Sequence, residues 1–449
     1  MSTIEKYDMT KGKILLPLVS FTIPLVLGNL FQLTYNATDS VIVGKYVGEQ
    51  ALAAVGTSTP IMNIAILLIS GMCMGASVLM SSQYGAKDYD TLSKQISTTM
   101  LAGCGFSIVF SLLMLLLAVP VLKLIRVPET AVPEAAGYLR IIFLGLIFTF
   151  IYNFLANTMR ALGDSRTPLY FLVTSALLNV LGDLFFVVVL RWGVVGSAIA
   201  TVCSEGLCCL LCGIYIKKKI PLLCLGKKWW VFDKSLLGKT VSYGSTSAMQ
   251  QVCLQLGKLI IQSVVNTQGV AVMAAFTAVN RVDDFAYTPQ QNIGHAMTTF
   301  LAQNKGAGHK ERMKKGFQTG LLIELVYSIG LFCIIWGLAP QIMTLFAEDG
   351  DAQVVSLGIS YLHLISWMYL LPGLTNGIQG FFRGIGDLKV TLYSTFMNMF
   401  GRVVAVFVML RLLHMEFASL AWANMIGWIV MLLFEVPLLV KSIRGGECG

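Results

Sequence analysis

The sequence predicts an all-α polytopic membrane protein, with twelve transmembrane helices in two homologous six-helix bundles, and three observations carry that prediction. Of 449 residues, 56% are apolar and 12% charged, with a mean hydropathy of +0.75. A soluble domain of that length carries about a quarter charged residues. The apolar runs recur at roughly the 20-residue length that spans hydrocarbon. Finally, a stretch of the first half recurs in the second at constant spacing.

The runs place helices near 14–42, 51–82, 96–120, 137–158, 169–190, 193–215, 241–266, 271–303, 317–340, 355–380, 390–410 and 418–440. They are continuously apolar, whereas a barrel strand would alternate over about ten residues. The opening MSTIEKYDMTKGK mixes acids and bases and has no small-residue cleavage site after a short apolar run, so it is not read as a signal peptide. Orientation follows from the cations, because short cytoplasmic loops retain Lys and Arg. With the N-terminus inside, the inner segments hold Lys11, Lys13, Lys87, Lys94, Arg160, Arg166, Lys217, Lys218, Lys219, Lys310, Arg312, Lys314, Lys315, Arg383, Lys389 and Lys441. The outer segments keep only Lys45, Lys123, Arg126, Arg191 and Arg411, and one of them carries Glu348, Asp349 and Asp351. A multi-pass protein of the cell (inner) membrane with both termini cytoplasmic is expected. The net charge of +9 is a by-product of this sorting, and no nucleic-acid partner is expected.

The internal repeat aligns YLRIIFLGLIFTFIYNFLANTMRALGDSRTPLY, from Tyr138, with YLHLISWMYLLPGLTNGIQGFFRGIGDLKVTLY, from Tyr361. Tyr138, Asn153, Arg160, Gly163, Asp164 and Tyr170 meet Tyr361, Asn376, Arg383, Gly386, Asp387 and Tyr393. A second echo pairs SSQYGAKD at Ser81–Asp88 with LAQNKGAGH at Leu301–His309. Six spans per half make the repeat parallel, a plan typical of secondary transporters. The expected domains are an N-terminal bundle at 1–220, a cytoplasmic linker at 221–240 and a C-terminal bundle at 241–449. In the Arg-x-x-Gly-Asp loops, glycine permits the turn and aspartate can cap the following helix.

Other chemistries find little support. Most of the ten cysteines lie in apolar spans as small hydrophobes, and Cys209-Leu-Leu-Cys212 has no βαβ context for a redox motif. There is no phosphate loop, and His295, His309, His363 and His414 are too dispersed for a metal centre. No enzyme activity, no cofactor and no resident metal are expected.

The twelve-helix duplicated plan, the paired Gln…Gly-Ala loops and the RALGDSRTP and FRGIGDLKV loops resemble the multidrug and toxic compound extrusion (MATE) family across essentially the whole chain. The resemblance implies a V-shaped pair of six-helix bundles that exports organic, often cationic, compounds in exchange for protons or sodium ions.

Ionisable groups inside spans are costly and mark function. Asp39 and Asp183 are the leading candidates. Asp183 lies about eight residues before Arg191 and Thr201 about ten after it, so both sit about 12–15 Å below the outer surface. Asn179 and Asp183, four apart, share a helix face. Two carboxylates, an amide and a hydroxyl could bind one small hard cation or share a proton. The resemblance extends this: the DinF-like branch of the family carries its cation site on the residue types found at Asp39, Asn179, Asp183 and Thr201, and its first-helix pattern matches Pro24, Gln32 and Tyr35. Pro24 is the expected hinge, and Gln32, Tyr35, Asn153 and Asn157 the expected substrate cavity. Glu205, one turn after Thr201, could extend the site.

In the second half, Ile261, Arg402, Val406 and Ala423 stand at the corresponding positions, so the constellation is absent there. Asp283, Asp284 and Glu324 are secondary acids, with Arg281 spaced to pair with Asp284. Lys258 and Arg402 would repel a cationic substrate unless they pair with those acids; otherwise they point to an anionic or zwitterionic cargo. The functional expectation is a proton- or sodium-coupled antiporter exporting an organic cation by alternating access, as a monomer in the lipid bilayer. The alternative is an exporter or flippase of the same superfamily for lipid-linked or anionic cargo.

Overall fold

A computed structural model describes residues 8–125, 127–220, 230–346, 352–413, 417 and 419–445. All regular structure among them is helical: α1 (Leu15–Tyr46), α2 (Glu49–Gly85), α3 (Tyr89–Leu124), α4 (Val132–Ala161), α5 (Arg166–Asp183), α6 (Gly193–Lys219), α7 (Lys234–Val265), α8 (Val270–Gly306), α9 (Lys310–Phe346), α10 (Ala352–Ser366), α11 (Leu370–Ile385), α12 (Leu388–Phe407) and α13 (Ser419–Arg444). Part of the expected linker, 221–229, lies outside the described residues, as do Arg126, Glu348, Asp349, Asp351 and His414.

Each apolar run has become a helix, because a chain in hydrocarbon can satisfy its backbone groups only by bonding to itself. The helices outrun the apolar stretches that announce them. The run read as 96–120 is helical from Tyr89 to Leu124, 36 residues, which at 1.5 Å per residue is about 54 Å, well beyond an about 30 Å hydrocarbon layer. Its added first turn is polar: Asp88 accepts from the Thr91 backbone N–H at 3.1 Å, and Lys94 pairs with Asp90 at 2.7 Å. Among the described residues, ten segments are long and apolar enough to cross a membrane, with α10 and α11 counted as one. α7 and α8 fall outside that set, since Gln250, Gln251, Gln255, Lys258, Arg281, Asp283, Asp284 and Gln290 dilute them.

Two departures from regular helix matter. The run expected as one span at 355–380 breaks into α10 and α11 across a 3₁₀ turn at Trp367–Tyr369. Pro372 lacks an N–H and crowds the carbonyl four residues earlier. The next carbonyl, that of Tyr369, accepts from Gln290 Nε2 at 2.8 Å and Ser328 Oγ at 3.3 Å. Secondly, α5 and α12 both end in π-helical turns, Leu184–Val189 and Val408–Leu412. The turns sit at the repeat spacing, so the duplication extends to this widening of the helix.

The chain forms two compact units. The first holds Asp8 and residues 23–248; the second holds 249–449 together with Met9–Thr22. In the first, Phe143, Leu146, Phe150 and Phe154 of α4 pack with Met80 and Leu92; in the second, Ile365, Met368 and Tyr369 pack with Phe276 and Val279. Large apolar side chains point outward from both, Leu116 77% exposed and Leu433 71%, as residues bathed in lipid do.

Each unit also clasps a segment leading into a helix. In the second, Met9 donates its N–H to Gln303, Asn304 donates to the Met9 carbonyl, and Arg312 donates to the carbonyls of Met9, Lys11 and Gly12. In the first, Val231 and Asp233 ahead of α7 bond Ser97 and Thr98.

The Arg-x-x-Gly-Asp loops behave as turns. Gly163 and Gly386 adopt φ of 91° and 87°, the left-handed region where a Cβ is unfavourable. Asp164 caps α5, accepting from the Arg166 and Thr167 N–H groups at 3.0 Å each. Its counterpart Asp387 precedes α12 without a side-chain capping bond. Asp164→Ala should therefore cost about 1 kcal/mol of stability, read as a lower melting temperature in detergent, and Asp387→Ala distinctly less.

Candidate functional site

The site assembles in the first unit from α1, α5 and α6. Pro24 is buried inside α1, where it deletes one helical bond and leaves a carbonyl unpaired. Gln32, Tyr35 and Asp39 follow it at spacings of three and four, along one face. Gln32 is exposed, while Tyr35 and Asp39 are half-buried. Asp39 Oδ1 accepts from Ser197 Oγ of α6 at 2.7 Å.

On α5, Asn179 and Asp183 are both buried, Asp183 completely. Asn179 Nδ2 donates to Thr201 Oγ1 at 3.1 Å, and Thr201 donates to the Ser197 carbonyl at 3.1 Å. The two carboxylates are close enough to interact: Asp39 is the leading charged neighbour of Asp183. All four residues read from the sequence are thus gathered in one place, and the π turn begins directly after Asp183.

Three acceptors here have no protein donor: both carboxylate oxygens of Asp183 and Asn179 Oδ1. Buried oxygens almost always find a partner. Three bare oxygens with Asp39 beside them and a hydroxyl at Thr201 form the donor set of a small hard cation, or a place to share a proton. Among the described residues no group of three or more His, Cys, Asp and Glu forms a metal centre. Ser197 was not singled out in the sequence, though it lies one turn before Thr201 on the same face.

The second unit carries a different buried acid. Asp283 of α8 accepts hydrogen bonds from Tyr361 and Tyr369, and Asn424 donates to the Tyr361 hydroxyl at 2.8 Å. Arg402 is the cation that Asp283 faces. At the repeat spacing, Tyr361 corresponds to Tyr138, Arg402 to Asn179 and Asn424 to Thr201. Tyr138 in turn has Asp39 and Asp183 among its charged neighbours. The equivalent pocket is therefore polar in both halves. One residue beyond the Ala423 read from the sequence, Asn424 keeps the hydrogen-bonding role, while a tethered guanidinium stands in place of an amide.

The family profile described as MatE matches residues 24–185 and 247–410. The chain belongs to the MATE family. Its two matched stretches begin at Pro24 and near the middle of α7, and the first ends just past Asp183. A probable multidrug resistance protein YpnP of Bacillus subtilis is 31% identical over 392 residues, covering 87% of this chain and 86% of its own length. Among solved structures, a MATE in the bent conformation superposes with a TM-score of 0.92 at 20% identity over 100% of both chains. A MOP superfamily transporter from Pyrococcus furiosus superposes with a TM-score of 0.91 at 21% identity over 99% of both. MATE proteins are multi-pass membrane transporters of small molecules, not enzymes.

The remaining candidates of this MATE chain divide. Asn153 and Asn157 lie on α4, but their amides donate to the carbonyls of Thr149 and Asn153 at 2.8 Å each, within their own helix. Lys258 pairs with Asp284 at 3.1 Å, both about half exposed; Asp284 bonds across to α7 rather than along α8 to Arg281. Glu324 on α9 is sealed, and neither of its carboxylate oxygens meets a donor.

Proposed function

We propose that this MATE chain is a cation-coupled antiporter in which Asp39, Asn179, Asp183 and Thr201 take up the coupling ion, a proton or sodium, as on the DinF-like branch. The observation that carries this reading is the sealed Asp183, whose two oxygens lack protein donors beside Asp39. A bound proton or sodium ion supplies what the protein withholds there. Occupation draws Asp39 of α1 toward Asp183 of α5. Pro24, with its missing hydrogen bond, lets α1 bend as that happens. Cargo leaves by alternating access, and cation uptake resets the binding surface of Gln32, Tyr35, Asn153 and Asn157.

The cargo is an organic cation. Lys258 pairs with Asp284, and Arg402 has Asp283 as a charged neighbour, which favours cationic over anionic cargo. The chain works as a monomer in the cell (inner) membrane with both termini cytoplasmic, and needs no cofactor besides the coupling ion. The test is efflux of a fluorescent organic cation from proteoliposomes under an imposed proton or sodium gradient. One of the two gradients should drive efflux in the wild type and neither in Asp39→Asn; undiminished driven efflux in Asp39→Asn refutes the assignment.

A further inference from the structure

We infer that Glu205 is the seat of the positive charge of the cargo, a second site within the first unit distinct from the coupling site; this rests on the reading of the chain as an exporter of organic cations. Glu205 stands near the middle of α6, about 18 Å along the helix from its first residue, the depth at which transporters place substrate. Its orientation follows from its neighbours. Leu207, Leu210 and Ile214 are exposed, and at about 100° per residue they lie about 140–200° around the helix from Glu205. They face lipid, so Glu205 faces inward, on the stripe that carries Thr201.

Two contacts define its surroundings. The Thr149 hydroxyl of α4 donates to Glu205 Oε2 at 2.6 Å, holding the carboxylate in one rotamer. Tyr35 of α1 has Glu205 as its leading charged neighbour, ahead of Asp39. Among the described residues no Lys or Arg balances this acid. A carboxylate at that depth without a counter-ion is expensive and calls for a functional occupant.

The chemistry of the surroundings separates the occupant from the coupling ion. A proton or sodium ion finds several oxygens at Asp183, Asn179 and Thr201, as a hard cation requires. Glu205 offers one carboxylate and one hydroxyl, with Tyr35 of α1 as an aromatic neighbour. That suits a bulky, weakly hydrated cation, which needs one opposite charge and an aromatic wall. Glu205 keeps some exposed surface, whereas Asp183 has none.

The experiment is equilibrium binding of tetraphenylphosphonium to the full chain in lipid nanodiscs, with uncharged triphenylphosphine oxide as a probe of similar bulk. Glu205→Gln should weaken tetraphenylphosphonium about tenfold or more and leave triphenylphosphine oxide within about twofold, while Glu205→Asp recovers part of the loss. Unchanged tetraphenylphosphonium affinity in Glu205→Gln overturns the proposal, as does an equal loss for both probes or a wild type that binds neither. If Asp39→Asn keeps full gradient-driven efflux while Glu205→Gln still loses only the charged probe, the coupling assignment falls and the cargo seat stands.

Discussion

Asp183→Asn should lower gradient-driven efflux by about 100-fold or more while leaving the protein folded and somewhat more stable. Removing one partner from a buried charge arrangement costs about 3–5 kcal/mol of the interaction it makes, and each 1.4 kcal/mol is tenfold in ion affinity. The stability change runs the opposite way. Asp183 is completely buried with two bare oxygens, a penalty the native fold tolerates. An amide of the same shape brings its own donor to the bare Asn179 oxygen, for a gain of about 1 kcal/mol. A purely architectural aspartate would lose stability on substitution, so the melting temperature and the efflux rate together discriminate. A lower melting temperature with retained driven efflux would sink the coupling role.

Gly380→Leu should abolish the folded protein. A Cβ on Gly380 would stand 2.7 Å from the Gly294 carbonyl oxygen, and one on Gly294 would stand 2.8 Å from that of Asn376. Both obstacles are backbone, on α8 and α11, so no side chain can swing aside. Small residues let helices approach to this distance in membranes. Overpacking of a few atoms already costs about 1–3 kcal/mol, and a leucine here exceeds that. Size-exclusion chromatography in detergent should show loss of the monodisperse peak, whereas Gly213→Leu, where nothing lies within 4 Å, should keep it. A normal peak for Gly380→Leu would contradict the packing of α8 on α11.

Helix number and the duplication were legible in the sequence, because lipid forces apolar runs into helices and the loop motifs repeat at fixed spacing. Helix ends were not. Tyr89 to Lys94 is polar and looks like loop until Asp88 caps it. The break at Trp367–Tyr369 has a local signal in Pro372, but the bonds that Gln290 and Ser328 of other helices give the Tyr369 carbonyl have none. Asp39, Asn179, Asp183 and Thr201 could be gathered beforehand because carboxylates in apolar spans are conspicuous. Ser197 could not, since a serine in a helix ordinarily bonds its own backbone. Asn153 and Asn157 were equally conspicuous as polar residues within a span; each gives one amide N–H to its own helix, which leaves a second N–H and the amide oxygen. Arg402 was visible but unexplained until Asp283 and its tyrosines were placed next to it.

The clasp on Met9–Thr22 sets a timetable for biosynthesis. Arg312, which holds the Met9 carbonyl, is 303 residues further along the chain. At about 5–20 residues per second, the ribosome reaches it roughly 15–60 s after the start of α1 has emerged. Through that interval the leading turns of α1 lack their second-unit partners, although the first unit has already been synthesised. Residues 9–22 are therefore among the last to mature, and α1, the helix that carries Pro24 and Asp39, stays unanchored at its leading end until the second unit has been made.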